Sequence, residues 1–220
     1  PSLKQMPWND CVAAACDYAR LERVRLRELH GRRNAGADVV RAISEAADIL
    51  VRGVVILCAS QARSGLRVLD RVACCALGGY GRAELSPQSD LDLCLLYNYR
   101  LDAEIEALNQ RMLPFLWDLG YRIGYSLHSV SEAVSLARQD LQVYTTYSQA
   151  RLLLGKSGVF ARLQLQLGGL RSREIEAILK TVAEREHPSL LPERYRDLYH
   201  PEPDIKENVG GLRDYHAARW

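Results

Sequence analysis

The chain has 220 residues, enough for one large domain or two modest ones at roughly 100–200 residues per domain. A chain of this size buries about 70% of its unfolded surface, so it needs no disulfide or metal to hold it together. With 48% hydrophobic and 25% charged residues, and 29 basic against 27 acidic side chains, it is an ordinary globular composition; this excludes disorder and a strongly basic nucleic-acid coat.

The first predicted element runs from Trp8 to about Arg33, a helix carrying Leu21, Val24, Leu26 and Leu29 and stopped by Gly31 and two arginines. A second helix is expected from Asp38 to about Ala62, with Val39, Val40, Ile43, Ala46, Ala47 and Leu50 at helical spacing. Its apolar stretch from Ile49 to Ala59 is interrupted by Arg52 and is too short to span a bilayer. Arg71 to Leu77 is a short apolar run ending at Gly78-Gly79, which fits a buried strand feeding a loop. Leu91 to Tyr99 reads as a second strand, and Asp102 to Leu119 as a helix closed by Gly120. Tyr121 to His128 alternates as a third strand, and Ser129 with Glu132 has capping-box spacing. From there the chain reads as helix over 131–138, 140–154, 158–167 and 172–186. A proline-rich connection follows from His187 to Pro203, and another helix begins after Gly210-Gly211. The domains expected are a helical segment over 1–62, a β-α-β core over 63–130 and a helical domain over 131–220.

Six cysteines, at 11, 16, 58, 74, 75 and 94, show no metal-ligand spacing and are expected to be reduced and buried. Nothing resembles a secretory signal, so a reducing cytoplasm is the expected compartment. Both ends look cut, as in a piece of a longer protein.

Chemistry concentrates in Gly78 to Leu96, GGYGRAELSPQSDLDLCLL. Asp90 and Asp92 stand two apart at a strand, a spacing that puts both carboxylates on one face. Two carboxylates that close repel unless a cation lies between them, and hard oxygen ligands suit Mg2+ or Mn2+. Leu91, Leu93 and Leu95 then point the other way, into the core. Gly78 and Gly79 leave room for a backbone to approach a phosphate, and Arg82 and Ser89 can add charge and a hydroxyl to that cradle.

An apolar strand, Gly-Gly, a loop and Asp-apolar-Asp together match the signature of the DNA-polymerase-β-like nucleotidyltransferases. The stretch GGYGRAELSPQSDLDLCLLY further resembles that of the bacterial protein-PII uridylyltransferases. LWDLGYRIGYSLHSVSEAVSLARQD, QARLLLGKSGVF and IKENVGGLRDYHAARW are similar to later elements of the same family. The resemblance implies an α+β fold, a small mixed β-sheet nucleotidyltransferase core with N-terminal helices and a C-terminal helical domain. It implies transfer of UMP from UTP to a tyrosine of the PII signal protein with release of pyrophosphate. Asp90 and Asp92 would be catalytic and hold the metal; Gly78, Gly79, Arg82, Ser89, Lys206 and Arg213 would hold the nucleotide. No nucleic acid or membrane partner is expected.

The chain departs from that pattern in three places. The third predicted strand has no Asp or Glu to complete a metal site, which leaves Asp140, Glu207 or Asp214, with Asp214 the candidate in the Gly-Gly-Leu-Arg-Asp element. Gly124 to His128 read Gly-Tyr-Ser-Leu-His where the family commonly has Gly-His-Ser-Val-Arg. Gln149 replaces a common Glu, while Arg151 is retained. The five histidines form no His-Asp dyad, so removal of UMP and sensing of glutamine are not expected of these residues. The alternatives are adenylyl transfer from ATP, to glutamine synthetase or another protein, and a catalytically weak module that binds nucleotide or PII.

Overall fold

The computed structural model describes residues 7–31 and 36–170, with the isolated positions 205, 212 and 215. Its helices are α1 (Trp8–His30), α2 (Gly36–Ser60), the four-residue α3 (Gly78–Gly81), α4 (Ala103–Asp118), α5 (Val130–Gln139), α6 (Leu141–Ser148) and α7 (Ser157–Gly169). The strands are β1 (Val72–Ala76), β2 (Leu91–Tyr97), β3 (Ile123–Ser129) and β4 (Arg151–Gly155), in the order β3-β2-β1-β4. β1 runs antiparallel to β2 and to β4, while β2 and β3 are parallel. The expected α+β class and mixed sheet are what the structure shows; most of the C-terminal helical domain lies outside the described residues.

Local chemistry sets the element boundaries. Asp102 caps α4 by accepting hydrogen bonds from the backbone N–H of Glu104 at 2.9 Å and of Ile105 at 3.0 Å. Gly120 leaves that helix with φ +76°, in the left-handed region. The capping box of α5 is complete: Glu132 N–H donates to Ser129 Oγ at 3.1 Å, and Ser129 N–H donates to Glu132 Oε2 at 2.7 Å.

The span 140–154, read as one helix, is corrected by the structure. Asp140 caps a helix that ends at Ser148, and Arg151–Gly155 is an edge strand on β1. Leu152, Leu153 and Leu154 are good helix formers, but pairing with β1 satisfies their backbone and buries Leu153, and tertiary context overrides the propensity. The sheet therefore draws on both sides of the 130/131 boundary.

Strict alternation along β1 and β2 divides the interior. Val72, Cys74 and Ala76 with Leu91, Leu93 and Leu95 pack against α1, α2 and α4. Ala73, Cys75, Cys94 and Leu96 pack against α5, α6 and α7. The sheet is thus covered on both faces, and side chains of the two N-terminal helices pack in the same apolar cluster as β1 and β2. No helix among the described residues is long and apolar enough to cross a membrane.

All six cysteines are unpaired, and only Cys16 is not buried. Burial pushes the thiols of Cys58 and Cys74 up to about 12 and that of Cys94 up to about 11, from an ordinary 9.0. These thiols keep their protons in the folded chain at a pH where the unfolded chain releases them. Their contribution is complete below about pH 9 and is lost as pH rises towards 12. Urea midpoints are therefore expected to fall progressively above pH 9, and a thiol reagent at pH 8 should leave Cys58, Cys74, Cys75 and Cys94 unmodified until the chain unfolds. Rapid native labelling at Cys74 or Cys94 would contradict the burial.

Candidate active site

β1 delivers the chain to the glycine pair through Leu77, whose N–H donates to Asp92 O at 2.8 Å. That bond continues the β1–β2 ladder to the edge of the sheet and fixes Gly78 beside Asp92. Gly78 has φ +55°, a conformation side chains rarely adopt, and a Cβ there would lie 3.1 Å from Asp92 Oδ2. Across the parallel pair, Asp92 registers with Gly124, where a Cβ would overlap Asp92 Oδ1. The carboxylate of Asp92 is therefore seated between two glycines on adjoining segments, on the sheet face shared with Cys94 and Leu96. Leu91, Leu93 and Leu95 face the opposite way, as expected.

Asp90 differs from the sequence reading. β2 begins at Leu91, so Asp90 belongs to the preceding loop, where it is exposed and ion-paired with Arg122 at 2.9 Å. Arg122 Nη2 also donates to Gln88 O at 2.6 Å, which ties the 85–89 loop to the start of β3. Ser89 closes the loop on itself: its N–H donates to Ser86 O at 3.0 Å, and its Oγ accepts from Ser86 N–H at 3.3 Å.

Arg82, at the end of α3, donates to Glu84 Oε2 at 2.7 Å and to Gln149 Oε1 at 2.8 Å. With Gln rather than Glu at 149, the hydrogen bond is kept while Arg82 retains more of its positive field. Gly79 borders the same guanidinium, with its Cβ position 3.8 Å from Arg82 Nη2. Gly78, Gly79, Arg82 and Asp92 are thus brought together, while Asp90 and Ser89 lie in the loop leading into β2, held by Arg122 and Ser86. Lys206, Glu207, Arg213 and Asp214 lie outside the described residues. Asp140, the remaining carboxylate alternative, is engaged as the α6 cap, accepting from Gln142 N–H at 2.7 Å. The described residues contain no group of three His, Cys, Asp or Glu side chains able to hold a metal.

The donor set nevertheless fits a divalent ion of the magnesium type. Such an ion uses one or two carboxylates and completes its shell with substrate phosphates and water. Asp92, in a cradle that a Cβ at 78 or 124 would crowd, would supply the first carboxylate, and Asp90 in the loop just before β2 would supply the second.

Three supporting residues lie outside the site candidates read from the sequence. Gly124 gained significance only through its register with Asp92. Arg122 has no sequence signal beyond its charge. Arg151, the arginine kept from the family pattern, has a structural role. It forms a two-pronged ion pair with Asp48 of α2, at 2.5 and 3.0 Å. It also donates to Tyr80 O at 3.2 Å and to Gly81 O at 3.3 Å, and its guanidinium lies 5.5 Å from the Tyr80 ring centre. It therefore clamps the glycine turn to α2 and β4. Asp48, an acid among apolar residues of α2 with a side chain only 14% exposed, was the available signal.

Gly124→Ala is expected to push the Asp92 carboxylate from its seat while leaving β3 paired. The measurement is Mn2+ affinity by calorimetry, which should weaken about tenfold or more, on the scale of disturbing a residue that orients a ligand. Unchanged affinity would place the ion elsewhere.

A family model described as GlnD PII-uridylyltransferase matches residues 177–220. A bifunctional uridylyltransferase/uridylyl-removing enzyme of Gluconobacter oxydans (strain 621H) is 36% identical over 197 residues, 88% of this chain and 20% of that protein. The chain is a region of the PII-uridylyltransferase type. Family members of the same name from Photobacterium profundum and Erythrobacter litoralis are 37% and 36% identical. Those matches cover 68% and 69% of this chain, and 17% and 16% of the relatives. The chain thus spans about a fifth or less of the family members it matches. A crystal structure of a toxin–antitoxin with AMP-PNP aligns over 52% of this chain and 87% of that one at 19% identity, with a TM-score of 0.34, too slight a likeness to carry an argument.

Proposed function

We propose that these residues form the nucleotidyltransferase part of a protein-PII uridylyltransferase, moving UMP from UTP to a tyrosine hydroxyl of PII. The observation that carries this reading is the Asp92 carboxylate seated between Gly78 and Gly124, directly beside the glycine turn. In this reaction the tyrosine oxygen forms a bond to the α-phosphorus, the bond from that phosphorus to the bridging α–β oxygen breaks, and pyrophosphate leaves. The hydroxyl proton passes to solvent. Asp92 and Asp90 would hold Mg2+ or Mn2+, which when bound neutralises phosphate charge and lowers the pKa of the attacking hydroxyl. Gly78 and Gly79 let the turn's backbone approach the phosphates closely, and Arg82 places a guanidinium where charge grows on the departing pyrophosphate. The Arg151 clamp keeps that turn from shifting relative to Asp92, and catalysis here rests on such positioning. Lys206, Arg213 and Asp214 remain proposed contributors from the C-terminal element.

The test is incubation of the chain with magnesium, UTP or ATP, and PII, read by the intact mass of PII. Addition of one UMP supports the proposal, and addition of AMP moves the assignment to adenylyl transfer. A binding module is the second reading, favoured by the lack of a third carboxylate among the described residues. Nucleotide bound without any adduct on PII would support it instead. Modified PII, once formed, should not be reversed by this chain, which lacks any His-Asp spacing for a phosphohydrolase.

A further inference from the structure

A cavity of about 640 Å3 opens between α1, α2, the 85–89 loop and the turn from α4 into β3. Arg23, Arg27, His30 and Arg122 line it beside Ser86 and Ser89, and among the described residues no Asp or Glu lines it. Arg23, Arg27 and His30 are spaced i, i+4 and i+7, so they share one face of α1. They occupy the last two turns of that helix, where the carbonyl end of the dipole favours cations.

Two of the guanidiniums are held in place. Arg23 donates to Leu119 O at 2.9 Å and lies 5.6 Å from the Tyr121 ring centre. Arg122 is fixed by Gln88 O and by Asp90. The cavity floor is apolar, formed by α2 side chains with Leu85 and Leu91. Leu91 belongs to the core on the α2 side of the sheet, whereas Asp92 faces the other side. The cavity is therefore distinct from the Asp92 seat, and Arg122 links it to Asp90 in the loop before β2.

We propose that this cavity binds a small phosphate-bearing anion, with Arg27 and Arg122 as its charged contacts and His30 as a hydrogen-bonding one. Like charges gathered around one opening repel each other, and a multivalent anion removes that repulsion while gaining charge-assisted hydrogen bonds from guanidinium and hydroxyl donors. The apolar floor accommodates the organic part of a phosphate ester. Arg122 pairs either with the anion or with Asp90, so the site competes for the same guanidinium that holds the Asp90 carboxylate. This inference does not depend on the uridylyl-transfer reading.

The test is calorimetric titration of the chain with inorganic tripolyphosphate in EDTA, so that no metal bridges the anion to the aspartates. The exposed pair of changes Arg27→Gln with His30→Gln should weaken binding by about tenfold or more, and Arg122→Gln by a similar factor. Asp90→Asn, which frees Arg122, should tighten binding several-fold, while Asp92→Asn leaves it unchanged. UTP in EDTA binding more tightly than tripolyphosphate supports a phosphate ester as the occupant; equal affinities support an inorganic anion at the same site. No saturable binding, an unaffected Arg27→Gln/His30→Gln chain, or a larger change from Asp92→Asn than from Asp90→Asn would overturn the proposal.

Discussion

Asp92→Asn is expected to reduce nucleotidyl transfer by roughly a hundred- to a thousandfold or more, the scale of losing a preorganised electrostatic contact at a reacting centre. The amide has the shape of the carboxylate, so it still fits between Gly78 and Gly124 and the strand pairing is undisturbed. What changes is charge: the neutral side chain no longer attracts a divalent ion. Intact mass of PII after incubation with UTP measures the transfer, and a thermal melt by circular dichroism measures the fold. Lost transfer with an unchanged melting temperature places Asp92 at the reacting centre. Retained transfer would remove it from the mechanism and leave the glycine cradle as a packing feature. Asp90→Asn should be the milder change, because Asp90 is exposed and already shares its charge with Arg122.

Arg151→Ala is expected to have the largest effect on stability, about 1–3 kcal/mol, because it leaves the largely buried Asp48 carboxylate with only the longer contact to Arg52 at 3.6 Å and removes two donors to the glycine turn. Arg151→Lys should recover less than half of that loss, since an ammonium cannot reproduce the two-pronged contact or span Asp48 and the Tyr80 carbonyl together. Urea unfolding of Arg151→Ala, Asp48→Asn and the double variant isolates the coupling between the two side chains. A cost below about 1 kcal/mol, with no coupling, would mean that the pair behaves as a solvated surface bridge. The same variants should raise KM for UTP, because the clamp holds the turn proposed to meet its phosphates.

Several features were legible in the sequence because they depend on neighbours a few residues apart. The α5 capping box, the Gly120 stop and the alternation of Leu91, Leu93 and Leu95 are of this kind, and each stands in the structure as read. The Gly-Gly and Asp-x-Asp spacing was likewise visible, since a strand, a tight turn and a returning strand are contiguous. The strand at Arg151–Gly155 was not. Its leucines suit a helix, and only the exposed edge of β1, far earlier in the chain, decides otherwise.

Periodicity by itself marked the two buried core strands, the ordered motifs and the resemblance they carry pointed to the α+β class, and the Gly-Gly and Asp-x-Asp spacing singled out Gly78 to Leu96 as the stretch to examine. Tertiary structure alone decided that Gly124 completes the seat of Asp92, that Asp90 turns to Arg122, and that Arg151 reaches Asp48 across 103 positions to hold the turn. The physical reason is range. Propensity, capping and alternation act within a few residues, whereas register between strands and ion pairs across layers exist only once distant segments have been packed together.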